Sequence, residues 1–111
     1  MDCLFCSIIE GTIPSDVVYE NDHVLAFRDV DPQSPLHILF VPKVHVRRFS
    51  ELSDPTVQTA LFQAIAEYAQ AEGLEEDGYR IVINTGQLAQ QSVDHLHLHL
   101  LSGRQLQWPP G

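Results

Sequence analysis

Near the end of this 111-residue chain, His95, His97 and His99 alternate with Leu96, Leu98 and Leu100. A period of two is the period of a β-strand, so the imidazoles share one face and the leucines the other. On a helix the same histidines would scatter, about 200° apart at each step. The leucine face calls for a hydrophobic core, which leaves the histidine face to line a cleft. Imidazoles packed side by side bring no hydrophobic gain and repel one another when more than one is protonated. Such a row serves chemistry near neutral pH: a base, a nucleophile or a metal ligand.

A second motif stands at the other end. Cys3 and Cys6, the only cysteines, form a C-x-x-C. In a reducing compartment that spacing fits a metal pair, a redox pair or two buried thiols. A redox motif would follow a strand inside a βαβ pattern, which this one does not, and metal is favoured. Two thiolates are only half of a tetrahedral zinc site, so the other ligands must lie elsewhere in the chain.

The formal charge of −9 argues against a polymeric nucleic acid partner, which needs a basic footprint. It leaves room for one small phosphorylated ligand, held by backbone N–H groups and local donors. No stretch approaches eighteen apolar residues, so no membrane span or membrane partner is expected. The N-terminus lacks a basic region ahead of an apolar one, and a cytoplasmic location is expected. The length suits one domain over 1–111, small enough that dimerisation would help it.

The elements that must position these motifs read as follows. Asp2 can cap a short helix through Leu4, Phe5, Ser7, Ile8 and Ile9, stopped by Gly11 and Pro14. Strands are expected over 17–20 and 23–30, joined by a turn at Asn21-Asp22. Two prolines make 31–35 a loop, and 36–41 is a strong strand ending at Pro42. An irregular or short helical connection follows over 43–49. Asp54-Pro55 starts a long helix whose apolar residues Val57, Leu61, Ala64, Ile65, Tyr68 and Ala69 recur at helical spacing. A fourth strand over 79–83, a loop over 84–91 and the histidine strand complete the order. The tail over 102–111 ends in Trp108-Pro109-Pro110-Gly111 and is expected to dock rather than wave. Hairpin-length connections make this an α+β protein with an antiparallel sheet.

The run His95-Leu96-His97-Leu98-His99-Leu100-Leu101 resembles the signature of the histidine triad superfamily. The likeness extends along nearly the whole chain. It includes Phe5, Ile8, Ile13-Pro14, Ala26-Phe27, Asp29, Pro32-Gln33-Ser34-Pro35, His37, Pro42-Lys43 and His45. It continues through Asn84, Gln91-Ser92-Val93, Gly103-Arg104-Gln105 and the closing Trp108-Pro109-Pro110-Gly111. That ending is similar to the nucleotide-binding, purine nucleoside phosphoramidase-like branch.

The resemblance implies a five-stranded antiparallel sheet with a short N-terminal helix and one long helix, sheets pairing across a homodimer. It also implies a hydrolase of nucleoside 5′-phosphoramidates or acyl-adenylates, with a purine nucleoside monophosphate as product. His97 would be the nucleophile and form a nucleotidyl-histidine, with His99, His37 and Ser92 supporting it. Backbone around Gln91, Ser92 and Val93, with Asn84, would hold the phosphate, and Asp29 the ribose hydroxyls. Phe5, Ile8, Ile13 and Val30 would sandwich the base. Zinc would sit on Cys3, Cys6, His45 and His95. The alternative is a nucleotide-binding regulatory protein with vestigial catalysis. The chain departs from the family pattern at Ala89-Gln90, where glycine is usual, and at Asp94; a reshaped loop or slower turnover is the expected consequence of the first.

Overall fold

Cys3, rather than Asp2, caps the first helix: its thiol accepts the Cys6 N–H at 3.4 Å. Helix α1 then runs Leu4–Glu10 in the computed structural model, which describes residues 2–111. Gly11 ends it at φ +83°, returning its N–H to the Ile8 carbonyl, a left-handed angle that glycine takes without a Cβ penalty. Both cysteines are thereby fixed at the start of a helix whose buried residue is Phe5.

Five strands follow: β1 (Val17–Glu20), β2 (Val24–Arg28), β3 (Leu36–Pro42), β4 (Arg80–Ile83) and β5 (Leu98–Ser102). They make one antiparallel sheet in the order β1-β2-β3-β5-β4. The turn into β2 is closed by Asn21, whose Oδ1 accepts the His23 and Val24 N–H groups at 2.8 Å each. β2 stops at Arg28, short of the expected Val30. The next residue, Asp29, accepts the Asp31 N–H on its carboxylate at 2.9 Å, which turns the chain away from the sheet.

Helix α2 (Pro55–Ala71) begins as its sequence requires, with the Asp54 carboxylate accepting the Thr56 N–H at 2.9 Å and proline in the first turn. Val57, Ala60, Leu61, Ala64, Ile65 and Tyr68 of its buried stripe pack on Val24, Ala26, Ile38, Phe40, Leu96, Leu98 and Leu100, and Ala69 is buried beside them in the chain. Each large side chain so buried contributes roughly 1.5–3 kcal/mol. The opposite face of the sheet carries a smaller cluster, in which Cys3 and Phe5 cover Leu25, Phe27, Leu39 and Val41. β2 and β3 are therefore apolar on both faces. All three triad leucines lie in the core under α2, and the histidines face the α1 side.

Regular pairing of β5 starts at Leu98, three residues later than the alternation suggests. Upstream, the Leu96 N–H pairs with the Val46 carbonyl at 2.8 Å, which ties the histidine segment to the chain around His45. Beyond β5 the tail is held by Arg80. Its guanidinium donates to the Gln107 carbonyl at 3.0 Å and lies 5.9 Å from the centre of the Trp108 ring, which is 80% exposed. Among the described residues, no helix is long and apolar enough to cross a membrane.

Candidate active site and metal centre

β3 and β5 pair with Leu39 opposite His99 and His37 opposite Leu101, so His37 and His99 are diagonal neighbours on one face. Their rings meet with His37 Nε2 2.8 Å from His99 Nδ1. The hydrogen bonds fix where the protons are. The Gln33 N–H donates to His37 Nδ1 at 3.0 Å, so a neutral His37 carries its proton on Nε2. That proton is given to His99 Nδ1, with the Asp29 carboxylate a more distant acceptor at 3.4 Å. His99 then keeps its own proton on Nε2. The chain of tautomers requires both rings neutral, and the surroundings make them so. Burial pushes His99 down to about 4, with the charges of His97 and His37 adding to the effect. Burial lowers His37 as well, against the opposing pull of Asp29 and Asp31.

His97 is oriented by backbone. Its Nδ1 lies 2.7 Å from the His95 carbonyl oxygen, which can only accept, so the ring proton sits on Nδ1. In the neutral ring the lone pair is then on Nε2. The ring is 3% exposed, packed edge-on against Phe5 at 5.1 Å and His99 at 5.0 Å.

In front of these rings lies a cavity of about 280 Å³, lined by Leu4, Phe5, Ile8, Ile13, Pro14, Ser15, Phe27, Arg28, Asp29, Val30, Leu39, Ser92, Val93, His97 and His99. Apolar walls dominate, with a few polar side chains among them: Ser15, Arg28, Asp29, Ser92, His97 and His99. This is the usual make-up of a small-molecule site.

Behind His97 is the second cluster. Cys3, Cys6, His45 and His95 converge with one donor atom each, all within 4.8 Å of one another. His95 Nδ1 lies 3.4 Å from Cys3 Sγ, 3.6 Å from Cys6 Sγ and 3.2 Å from His45 Nδ1, and Cys6 Sγ lies 3.3 Å from His45 Nδ1. His95 Nε2 donates to the Pro42 carbonyl at 2.9 Å, which leaves Nδ1 as a lone pair aimed into the cluster. Lone pairs and thiols turned toward one point fit a metal ion, and a backbone acceptor on the far nitrogen is how a ligating imidazole is normally oriented. Asp29, His37 and His99 also converge, but the two rings are engaged with each other and with Gln33.

The HIT-domain pattern matches residues 10–106. The chain belongs to the HIT-domain family. A HIT family hydrolase from Legionella pneumophila superposes with a TM-score of 0.94 at 46% identity, covering 99% of this chain and 100% of that one. A 14 kDa zinc-binding protein of Zea mays is 48% identical over 97% of this chain and 87% of its own length. The purine nucleoside phosphoramidase of Escherichia coli strain K12 is 42% identical over 95% of this chain and 90% of its own.

Within this HIT domain, nine residues assigned to the nucleotide meet at the cavity: Phe5, Ile8, Ile13, Asp29, Val30, Ser92, Val93, His97 and His99. His37 stands behind His99 rather than at the cavity wall. Asn84 and Gln91 are not on that wall either. The Gln91 side chain is occupied internally, accepting from the Gly86 N–H at 3.0 Å and donating to the carbonyls of Arg47 at 2.7 Å and Val93 at 3.1 Å. Gln90 takes a left-handed angle, φ +67°, a conformation that favours glycine.

Sequence reasoning missed Leu39 and Phe27 as cavity residues, although strand register could have found them: both share a face with His99 through direct cross-strand pairing. It also missed the main-chain partners of Gln33, Pro42 and His95.

Proposed function

We propose that this HIT-domain chain is a hydrolase of purine nucleoside 5′-phosphoramidates or acyl-adenylates, acting through a covalent nucleotidyl-His97. The observation that carries this reading is the His97 tautomer: with Nδ1–H held by the His95 carbonyl, the neutral ring has its lone pair on Nε2, the atom that would attack. The likeness to the Escherichia coli phosphoramidase supports the substrate class.

In the proposed reaction, His97 Nε2 forms a bond to the α-phosphorus and the phosphorus–nitrogen bond breaks. The amine leaves with a proton taken from solvent. Water then attacks the phosphorus, His97 is released and the nucleoside monophosphate departs. His99 Nε2–H donates to a phosphoryl oxygen, and Ser92 with nearby backbone N–H groups shares that charge. Asp29 accepts from the ribose hydroxyls, while Phe5, Ile8, Ile13 and Val30 enclose the base. An apolar sandwich of this kind recognises purine shape.

Zinc is proposed for Cys3, Cys6, His45 and His95. Tetrahedral zinc with sulfur at about 2.3 Å and nitrogen at about 2.0–2.1 Å has edges of about 3.3–3.8 Å; four of the six donor pairs lie at 3.2, 3.3, 3.4 and 3.6 Å, and all lie within 4.8 Å. The Zea mays zinc-binding relative supports the metal. Bound there, zinc supplies a structural cross-link between α1 and the histidine segment. We also propose a homodimer. Phe62 on α2 and Ile81 on the edge strand β4 are exposed apolar residues, 61% and 45%, and Trp108 of the tail adds a third. A cytoplasmic setting suits two reduced thiols.

Steady-state hydrolysis of a fluorogenic adenosine 5′-phosphoramidate tests the reading. His97→Ala should lose at least the roughly 10²–10⁴-fold typical of a single proton-transfer group. Equal rates in the two proteins, or tight nucleotide binding without turnover in the wild type, would make the chain a nucleotide binder instead.

A further inference from the structure

Of the six lysines and arginines in the chain, five are engaged. Arg28 pairs with Asp16, Lys43 with Glu20 and Arg47 with Glu51, while Arg80 and Arg104 donate to backbone carbonyls. The Arg48 guanidinium alone has neither an ion pair nor a hydrogen bond among the described residues; the residue's one bond is its backbone carbonyl accepting the Glu51 N–H at 3.0 Å. In a chain with fifteen carboxylates, a cation without a partner is unexpected, and its position gives it a purpose.

Arg48 lines a groove of about 360 Å³ with Gly86, Gln87, Gln90, Ser92 and Asp94. Ser92 is shared with the nucleotide cavity, so the groove begins where the phosphate would be held. The base and ribose positions lie on the α1 side of that point, which leaves the groove for the group on the far side of the phosphorus. Its two walls are fastened to each other. The Gln91 amide spans the Gly86 N–H and the Arg47 and Val93 carbonyls, and the Leu96 N–H reaches the Val46 carbonyl. Asp94, the other charge in the groove, is partly balanced by Arg47, whose pKa is raised chiefly by its bond to Glu51, then by the charges of Glu51 and Asp94.

We propose that this groove is the leaving-group subsite, and that Arg48 selects leaving groups carrying a carboxylate, such as amines derived from amino acids. The inference rests on the hydrolase reading above and names the half of the substrate which that reading leaves open. A guanidinium is suited to it, since its planar donors match the two oxygens of a carboxylate.

The test uses two ligands alike in shape, the adenosine 5′-phosphoramidates of glycine and of glycinamide, bound to full-length His97→Ala by calorimetry. This background keeps the ligands intact, so the result stands whether or not the wild type turns them over. The glycine ligand should bind about 5-fold more tightly than the amide at low salt, the upper end for an exposed ion pair. Arg48→Gln should erase that ratio, and Arg48→Lys should keep part of it. Added salt should shrink it. A ratio near one in the parent, or one that survives Arg48→Gln, overturns the proposal. So does a loss of assembly mass on Arg48→Gln in sedimentation, which would give the guanidinium to a contact between copies. Failure of hydrolysis in the wild type, with the binding ratio intact, would instead count against the hydrolase reading alone.

Discussion

The His97 ring nitrogen Nδ1 lies 2.7 Å from the carbonyl oxygen of His95, and the His95 ring lies within the Cys3, Cys6 and His45 cluster. One residue thus faces two ways. Its side chain belongs to the Cys/His cluster, and its main chain fixes which ring nitrogen of His97, the proposed nucleophile, carries the proton. The peptide at His95 cannot shift without turning His97.

Removing metal should therefore reach catalysis as well as stability. After chelation and removal of the chelator, the melting temperature should fall, because binding free energy at such a site is folding free energy. Turnover should fall about tenfold or more, by analogy with lost orienting partners at metal sites, with kcat affected more than KM. An unchanged melt in protein shown to be free of metal would separate the two clusters.

The His37–His99 pair makes stability depend on acidity. His99 has a folded pKa of about 4 against an ordinary 6.5, and His37 is shifted in the same direction. Between those values the unfolded chain binds more protons than the folded one, so stability rises with pH. The contribution is complete above about 6.5 and is lost as the pH falls toward 4. Thermal melts across that range should show the decline, and it should be smaller in His99→Gln than in the wild type.

Gln90 holds a left-handed angle, φ +67°, in the loop that lines the groove with Arg48 and Ser92. A side chain there costs about 1–2 kcal/mol, while glycine adds about 0.5–1 kcal/mol of unfolded-state freedom. Gln90→Gly should therefore raise stability by up to about 1.5 kcal/mol in denaturant unfolding. A loss of stability would mean that the Gln90 side chain makes contacts that outweigh its angle.

Gly103 follows β5 at φ +100°, and a Cβ there would lie 2.9 Å from the Pro35 Cβ. Arg104 beside it donates to the Gln33 carbonyl at 2.8 Å, and the Gln33 N–H holds His37. Gly103→Ala should cost about 1–2 kcal/mol from the angle alone and should also loosen His37 and His99. NMR of the ring nitrogens should show the His99 tautomer preference weakened; an unaltered pattern would mean that the loop absorbs the added carbon.

Much of this was legible in the sequence because it depends on local patterns. The triad alternation placed Leu96, Leu98 and Leu100 in the core, and Asp54-Pro55 set the start of α2. The strand over the triad was read too long because His95 and Leu96 use their backbone groups elsewhere, on His97 and Val46. Asp2 looked like the better cap, yet the Cys3 thiol takes that role because it faces back over the helix start toward His95. The resemblance to histidine triad proteins supplied His45 and His95 as partners for the cysteines, ninety or more residues apart at the extreme, which no local pattern could do. Main-chain acceptors such as the Pro42 and His95 carbonyls carry no residue signature at all. Nor did the sequence reveal that Gln91 spends its amide inside the protein.

Rapid mixing with an adenosine 5′-phosphoramidate labelled in the adenosine, quenched in alkaline denaturant and followed by peptide mass analysis, tests the role of His97 most directly. The label should appear on the peptide containing His97 within one turnover, assigned to that ring, and be absent in His97→Ala. Label on His99 or His37, or steady hydrolysis with no labelled peptide at any time, would contradict a nucleotidyl-His97 intermediate.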